Sequence, residues 1–161
     1  MTALNTAGVL ARPHFQILDL SMEGIGTLGE GLCSPWQIER LQQVIELRDI
    51  IERRYGKVVA LRVVGDSMER ADLLRGDIAF FASVQQIQPA DGMVVMVKVD
   101  YYDPLIKLYR GGELVSLYRD HDVVERFMEA EEVRITGVMV YKLQDMVERY
   151  NRTVQPKGQG Q

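Results

Sequence analysis

Ser67 stands in Gly65-Asp66-Ser67-Met68, a tight polar corner that ends the apolar run Val58 to Val64. Such a run reads as a buried strand that stops abruptly. A serine at its end is held by a rigid element yet reachable from outside, which suits a nucleophile. A turn serine bonded to its own backbone is the commoner fate of such a residue. A serine hydroxyl attacks a peptide carbonyl only with a base within hydrogen-bond reach. The two histidines, His14 in the N-terminal arm and His121 in the charged loop Arg119-Asp120-His121-Asp122, have no clear reason to face it. Lys107 lies 40 residues after Ser67, between Ile106 and Leu108 in an apolar strand. Burial there would disfavour the ammonium form, and a neutral amine could take the serine proton. Lys98, between Val97 and Val99, has similar surroundings. Either lysine could instead lie on the solvent face of an alternating strand. The residues alone leave the two level. Backbone N–H groups at the Gly65–Met68 corner would supply an oxyanion site. This chemistry calls for no metal and no cofactor.

The elements that must position these groups follow from the rest of the chain. Its 161 residues allow one domain that buries roughly two-thirds of its unfolded surface. Apolar residues make up 47% and charged residues 26%, a balance ordinary for a soluble globular protein. A net charge of −4 argues against a large basic nucleic-acid surface. The single cysteine, Cys33, cannot form an internal disulfide, which points to a reducing, cytoplasmic setting. No apolar stretch approaches the roughly 20 residues of a membrane-spanning helix, and no secretory signal is visible.

Residues 1–34 read as an N-terminal arm, with a short strand at His14 to Leu20 and a glycine-dense loop at 21–35. Pro35 to Arg54 carries Ile38, Leu41, Ile45 and Ile50 at near-helical spacing. Its surest helical piece is Leu47 to Arg54, closed by Gly56. A DNA-reading helix-turn-helix needs about three packed helices, which residues 1–57 do not supply. Strands follow at Ile78 to Ala82, Met93 to Val99, Leu105 to Tyr109, Leu114 to Tyr118 and Val133 to Leu143. Arg110-Gly111-Gly112-Glu113 is a hairpin turn. Residues 35–146 thus form a mainly antiparallel β domain, and 147–161 a polar tail.

Taken together, Gly65-Asp66-Ser67-Met68, Leu74-Arg75-Gly76-Asp77-Ile78, Asp91-Gly92-Met93-Val94-Val95 and Ile106-Lys107-Leu108 resemble the serine-lysine self-cleaving domain of LexA-type and phage CI-type repressors and of the UmuD-type polymerase subunit. The likeness runs from about Gly31 to Tyr141 and looks nearest the UmuD-type branch. It implies strongly curved antiparallel sheets with one or two short helices, and residues 39–46 extended. It assigns Ser67 as nucleophile and Lys107 as base, and it demotes Lys98. It implies a homodimer through the C-terminal part, where Met139, Val140 and Leu143 are interface or core. It further implies a DNA-damage (SOS-like) or mobile-element response. There a RecA–single-stranded-DNA filament would be the trigger, and a translesion polymerase or a DNA-binding regulator the downstream partner. The family cuts its own chain before a glycine on a loop upstream of the serine. Glu30-Gly31 lies at that place, 36 residues before Ser67. The family usually has Ala or Cys where Glu30 stands, and a carboxylate there would have to be desolvated beside a lysine that must stay neutral. Leu28-Gly29 and Ala7-Gly8 are the other options, so the bond stays open. A non-cleaving dimeric regulatory module of the same fold is the alternative.

Overall fold

The computed structural model describes residues 14–18, 20 and 35–146. The candidate bonds Ala7-Gly8, Leu28-Gly29 and Glu30-Gly31 and the polar tail lie outside the described residues. Eight strands form one antiparallel, curled sheet beside one long helix. In chain order these are β1 (Phe15–Ile17), α1 (Pro35–Tyr55), β2 (Val58–Val63), a 3-10 turn (Glu69–Ala71), β3 (Ile78–Ser83), β4 (Val94–Val99), β5 (Leu105–Arg110), β6 (Glu113–Leu117), β7 (Asp122–Glu125) and β8 (Val133–Leu143). The strand order across the sheet is β1-β2-β3-β8-β4-β5-β6-β7.

β3 explains why the sheet reads as apolar runs rather than clean alternation. Ala79 and Phe81 enter one core cluster, and Ile78, Phe80 and Ala82 enter a second on the opposite face. A strand buried on both faces has no polar side to display. The larger cluster gathers Leu61, Val63, Met68, Leu73, Val95, Val97 and Ile106. The second is covered by α1 through Val44 and Ile51. Bulges at Phe80/Phe81 and Met96/Val97, both opposite β8, bend the sheet. β8 packs within this chain: Met139 lies against the larger cluster, and Val140 and Leu143 against the second. These three side chains belong to the partly buried core.

The helix corrects two expectations. It is continuous over 21 residues, so residues 39–46 are helical rather than extended. Its buried line is set by Val44 and Ile51, seven residues apart, while Ile50 is 58% exposed. Two helical turns separate the buried pair, and Ile50 falls about 100° off that line. Helix propensity in the Glu-, Gln- and Arg-rich stretch, together with burial of Val44, outweighs the family-based expectation of extended chain. Gly56, at φ 75°, ends the helix by donating its N–H to Glu52 C=O at 3.0 Å. Among the described residues no helix is long and apolar enough to cross a membrane.

The turn before β3 is bolted to the end of β2, close to the serine corner. Gly76 N–H donates to Val63 C=O (2.8 Å), and Val63 N–H donates to Asp77 C=O (2.8 Å). The buried Asp77 carboxylate accepts from Leu74 N–H and Asp145 N–H, each at 3.0 Å. Arg40 reaches in from α1 to Gly76 C=O and the Asp145 carboxylate. Removing the carboxylate strands two backbone donors. Asp77→Ala should therefore lower the unfolding free energy by about 2 kcal/mol, read as a fall in the urea midpoint at unchanged slope.

Candidate active site

The Gly111-Gly112 turn, with φ of 59° and 79°, sets the register of the β5–β6 hairpin. Two successive left-handed residues make the hairpin turn that glycine favours. Arg110 then pairs with Glu113, and Leu108 with Val115. One step further Lys107 meets Ser116. Its Nζ donates to Ser116 Oγ at 2.6 Å. β7 pairs Leu114 with Glu125, which places Glu125 diagonally across from Ser116 on one face. Ser116 Oγ donates to Glu125 Oε1 at 2.9 Å, and that oxygen lies 3.8 Å from Lys107 Nζ. All three side chains are buried.

The serine corner attaches to the same strand, one residue along. Leu117 N–H donates to Ser67 C=O at 2.8 Å. β6 therefore holds Lys107 by the side chain of Ser116 and Ser67 by the backbone of Leu117. Ser67 is 1% exposed, and its Oγ has no hydrogen-bond partner. Among the described residues only His14 Nδ1 shares that state of a buried, unpartnered side-chain polar atom.

A buried serine on a Gly-Asp-Ser corner and a buried lysine on β5, both tied to β6, accompany a match over most of the sequence. The family model described as Peptidase S24-like covers residues 27–140, more than half of the chain. The chain belongs to the Peptidase S24-like family. No curated protein matches it.

In this S24-like domain burial and bonding partners distinguish the four candidate bases. Burial pulls Lys107 down from 10.5 to about 8, against the opposing pull of the Glu125 carboxylate and its hydrogen bond. Lys98 instead reaches the C=O of Tyr102 at the exposed end of β4. His121 stacks on Tyr118 with ring centroids 4.9 Å apart and bonds the Asp120 carboxylate; its side chain is 58% exposed. These two line a small groove of about 230 Å³ with Asp66, Glu69, Arg119 and Asp120, beside the corner. His14 stands nearer than its place in the arm suggests. Its C=O accepts from Val64 N–H (2.8 Å) and Gly65 N–H (3.0 Å), which ties the start of β1 to the corner. Its Nδ1 lies 4.0 Å from Asp66. Burial, then the charge of Lys107, lowers its pKa, while Asp66 and Glu125 pull the other way.

Gly65 serves this contact by lacking a side chain. A Cβ there would sit 2.0 Å from His14 Nδ1. Gly65→Ala must push the ring out or shift β1. Overpacking of this kind costs about 1–3 kcal/mol. The expected result is a destabilisation in that range in urea, recovered only in part in Gly65→Ala/His14→Ala, since the ring atoms are removed while the His14 Cβ, 2.8 Å from the new methyl, stays. The Gly65 N–H is already given to the His14 C=O, so it is not available as an oxyanion donor.

Ser116 and Glu125 did not figure among the expected site residues. Ser116 had a readable signal: a two-residue glycine turn after Arg110 places position 116 opposite 107. Glu125 had none, because β7 lies in a charged stretch that reads as loop.

Proposed function

We propose that this S24-like chain is a self-cleaving serine-lysine peptidase of the LexA/UmuD type, with Ser67 as nucleophile and Lys107 as its base. The observation that carries the reading is the buried Lys107 amine, held near pH 8 and tied to the strand that also holds the Ser67 backbone. A neutral amine exists there in useful amount at physiological pH, which an exposed lysine would not provide. In the reaction, Ser67 Oγ bonds to the scissile carbonyl carbon as its proton passes to Lys107 Nζ. The carbonyl oxygen, now negative, takes hydrogen bonds from the corner N–H groups of Asp66, Ser67 and Met68. The C–N bond then breaks, and the lysine proton goes to the departing nitrogen. Water cleaves the resulting serine ester with the amine again acting as base.

The sequence resemblance supports placing this activity in a DNA-damage or mobile-element response. There the chain acts as a homodimer, triggered by a RecA–single-stranded-DNA filament and passing to a translesion polymerase or a DNA-binding regulator. The Gly-x-x-Ser-Pro spacing after Gly31 supports the UmuD-type branch. One observation favours a second reading, a non-cleaving regulatory module. Lys107 Nζ is bonded to Ser116 while Ser67 Oγ has no partner, so the amine must turn before it can serve. Alkaline incubation followed by intact-mass measurement separates the two: fragments establish the peptidase, and a whole chain that still dimerises establishes the module.

A further inference from the structure

Three buried polar side chains on three adjacent strands are more than a dyad requires. The geometry points to Glu125 as a positioning residue of the active centre, acting on Lys107 through the Ser116 hydroxyl. This rests on Lys107 being the base.

The direction of the bonds carries the argument. Lys107 Nζ donates one hydrogen to Ser116 Oγ (2.6 Å), and Ser116 passes its own hydrogen to Glu125 Oε1 (2.9 Å). An acceptor-only carboxylate at the end forces this order, because Glu125 has no hydrogen to give back. The hydroxyl must then present its lone pair to the amine. In the neutral amine the nitrogen lone pair is left for the Ser67 proton. The resting amine lies 3.8 Å from Glu125 Oε1 among buried side chains, so once it has turned and taken that proton the new ammonium forms close to this carboxylate. A fixed carboxylate there stabilises the charge that develops in the transition state. No atom beyond the Ser67 proton changes hands, and Glu125 keeps its charge throughout.

The same carboxylate has an opposite effect on the ground state. It favours the ammonium before reaction and so keeps the neutral fraction small near pH 7. Glu125 thus slows the enzyme at neutral pH and speeds it once the amine is free. Among the described residues the other titratable groups coupled to the cluster are Asp66 at the corner, His14 ahead of β1 and Tyr118 after β6.

The test is the pH profile of self-cleavage in the full chain for wild type, Glu125→Gln and Ser116→Ala. Glu125→Gln keeps an oxygen for Ser116 but removes the charge. Its midpoint should fall by about one pH unit, and its alkaline plateau by about tenfold. Ser116→Ala keeps the charge and breaks the link, so its plateau should fall about tenfold while its midpoint does not fall. A merely structural role lowers the plateau of both and moves neither midpoint, which would overturn the proposal. So would an unchanged plateau in Ser116→Ala, the deciding variant if Glu125→Gln does not fold. A second readout is independent of cleavage: the Lys107 titration followed by NMR of ¹³Cε-labelled lysine, in a Ser67→Ala background with and without Glu125→Gln. If wild type never cleaves, the peptidase reading falls, and this titration still decides whether Glu125 governs the amine.

Discussion

Held for hours near pH 9, the purified chain should divide into two fragments, while Ser67→Ala and Lys107→Ala remain whole. The pH dependence follows from the amine. With Lys107 at about 8, roughly a tenth of it is neutral at pH 7 and roughly nine-tenths at pH 9. The first-order cleavage rate should therefore climb about tenfold between those values and then level off. Either substitution removes a group without which no acyl-enzyme forms, so the loss should exceed about 1000-fold. Fragment masses also choose among Glu30-Gly31, Leu28-Gly29 and Ala7-Gly8. A rate independent of protein concentration would mark cleavage within one chain. Wild type that stays intact across this range would remove the peptidase reading and leave the regulatory module.

Much of this site was legible in the sequence, and the parts that were not share a cause. The corner at Ser67 was readable because an apolar run ends there in Gly-Asp-Ser, and glycine and proline turns delimit most strands. The choice between Lys107 and Lys98 was not readable from the residues. Both sit between apolar neighbours, and only the paired strands decide which one is covered. Lys107 lies on β5 with β4 on one side and β6 on the other, and is 1% exposed. Lys98 lies close to the chain's turn at Tyr101-Tyr102 and reaches out to it. Glu125 was hidden because β7 reads as a charged loop, and His14 gave no reason to face Ser67 because it meets the corner across a strand pairing of long sequence separation. The helix failed differently. Ile50 fits the spacing about as well as Ile51 does, and contact with β2 and β3 selects Ile51 for the core.

The stability of the fold should itself report the state of Lys107, even in chains that cannot cleave. In the folded protein the amine gives up its proton near pH 8, because burial disfavours the ammonium. In the unfolded chain the same amine keeps its proton up to its ordinary value of 10.5. Between the two, the unfolded state binds the extra proton, so raising the pH favours the folded state. The gain is complete above the unfolded value and is lost as pH falls through the folded one. Integrated over that window it amounts to about 3 kcal/mol. Other lysines and the tyrosines also titrate there, so the quantity to measure is a difference. In a Ser67→Ala background, unfolding by urea should be compared with and without Lys107→Met at pH 8 and at pH 10.5. The lysine chain should gain about 3 kcal/mol on the methionine chain across that interval, with the methionine chain's own change carrying every other titration. At neutral pH the comparison tests a separate balance. The methionine removes a buried cation but leaves the Glu125 carboxylate with Ser116 as its remaining partner, so the substitution should destabilise rather than relieve the core. A difference that stays flat between pH 8 and pH 10.5 would mean that the amine titrates alike in both states. An amine of that kind could not be the base of a dyad working near neutrality.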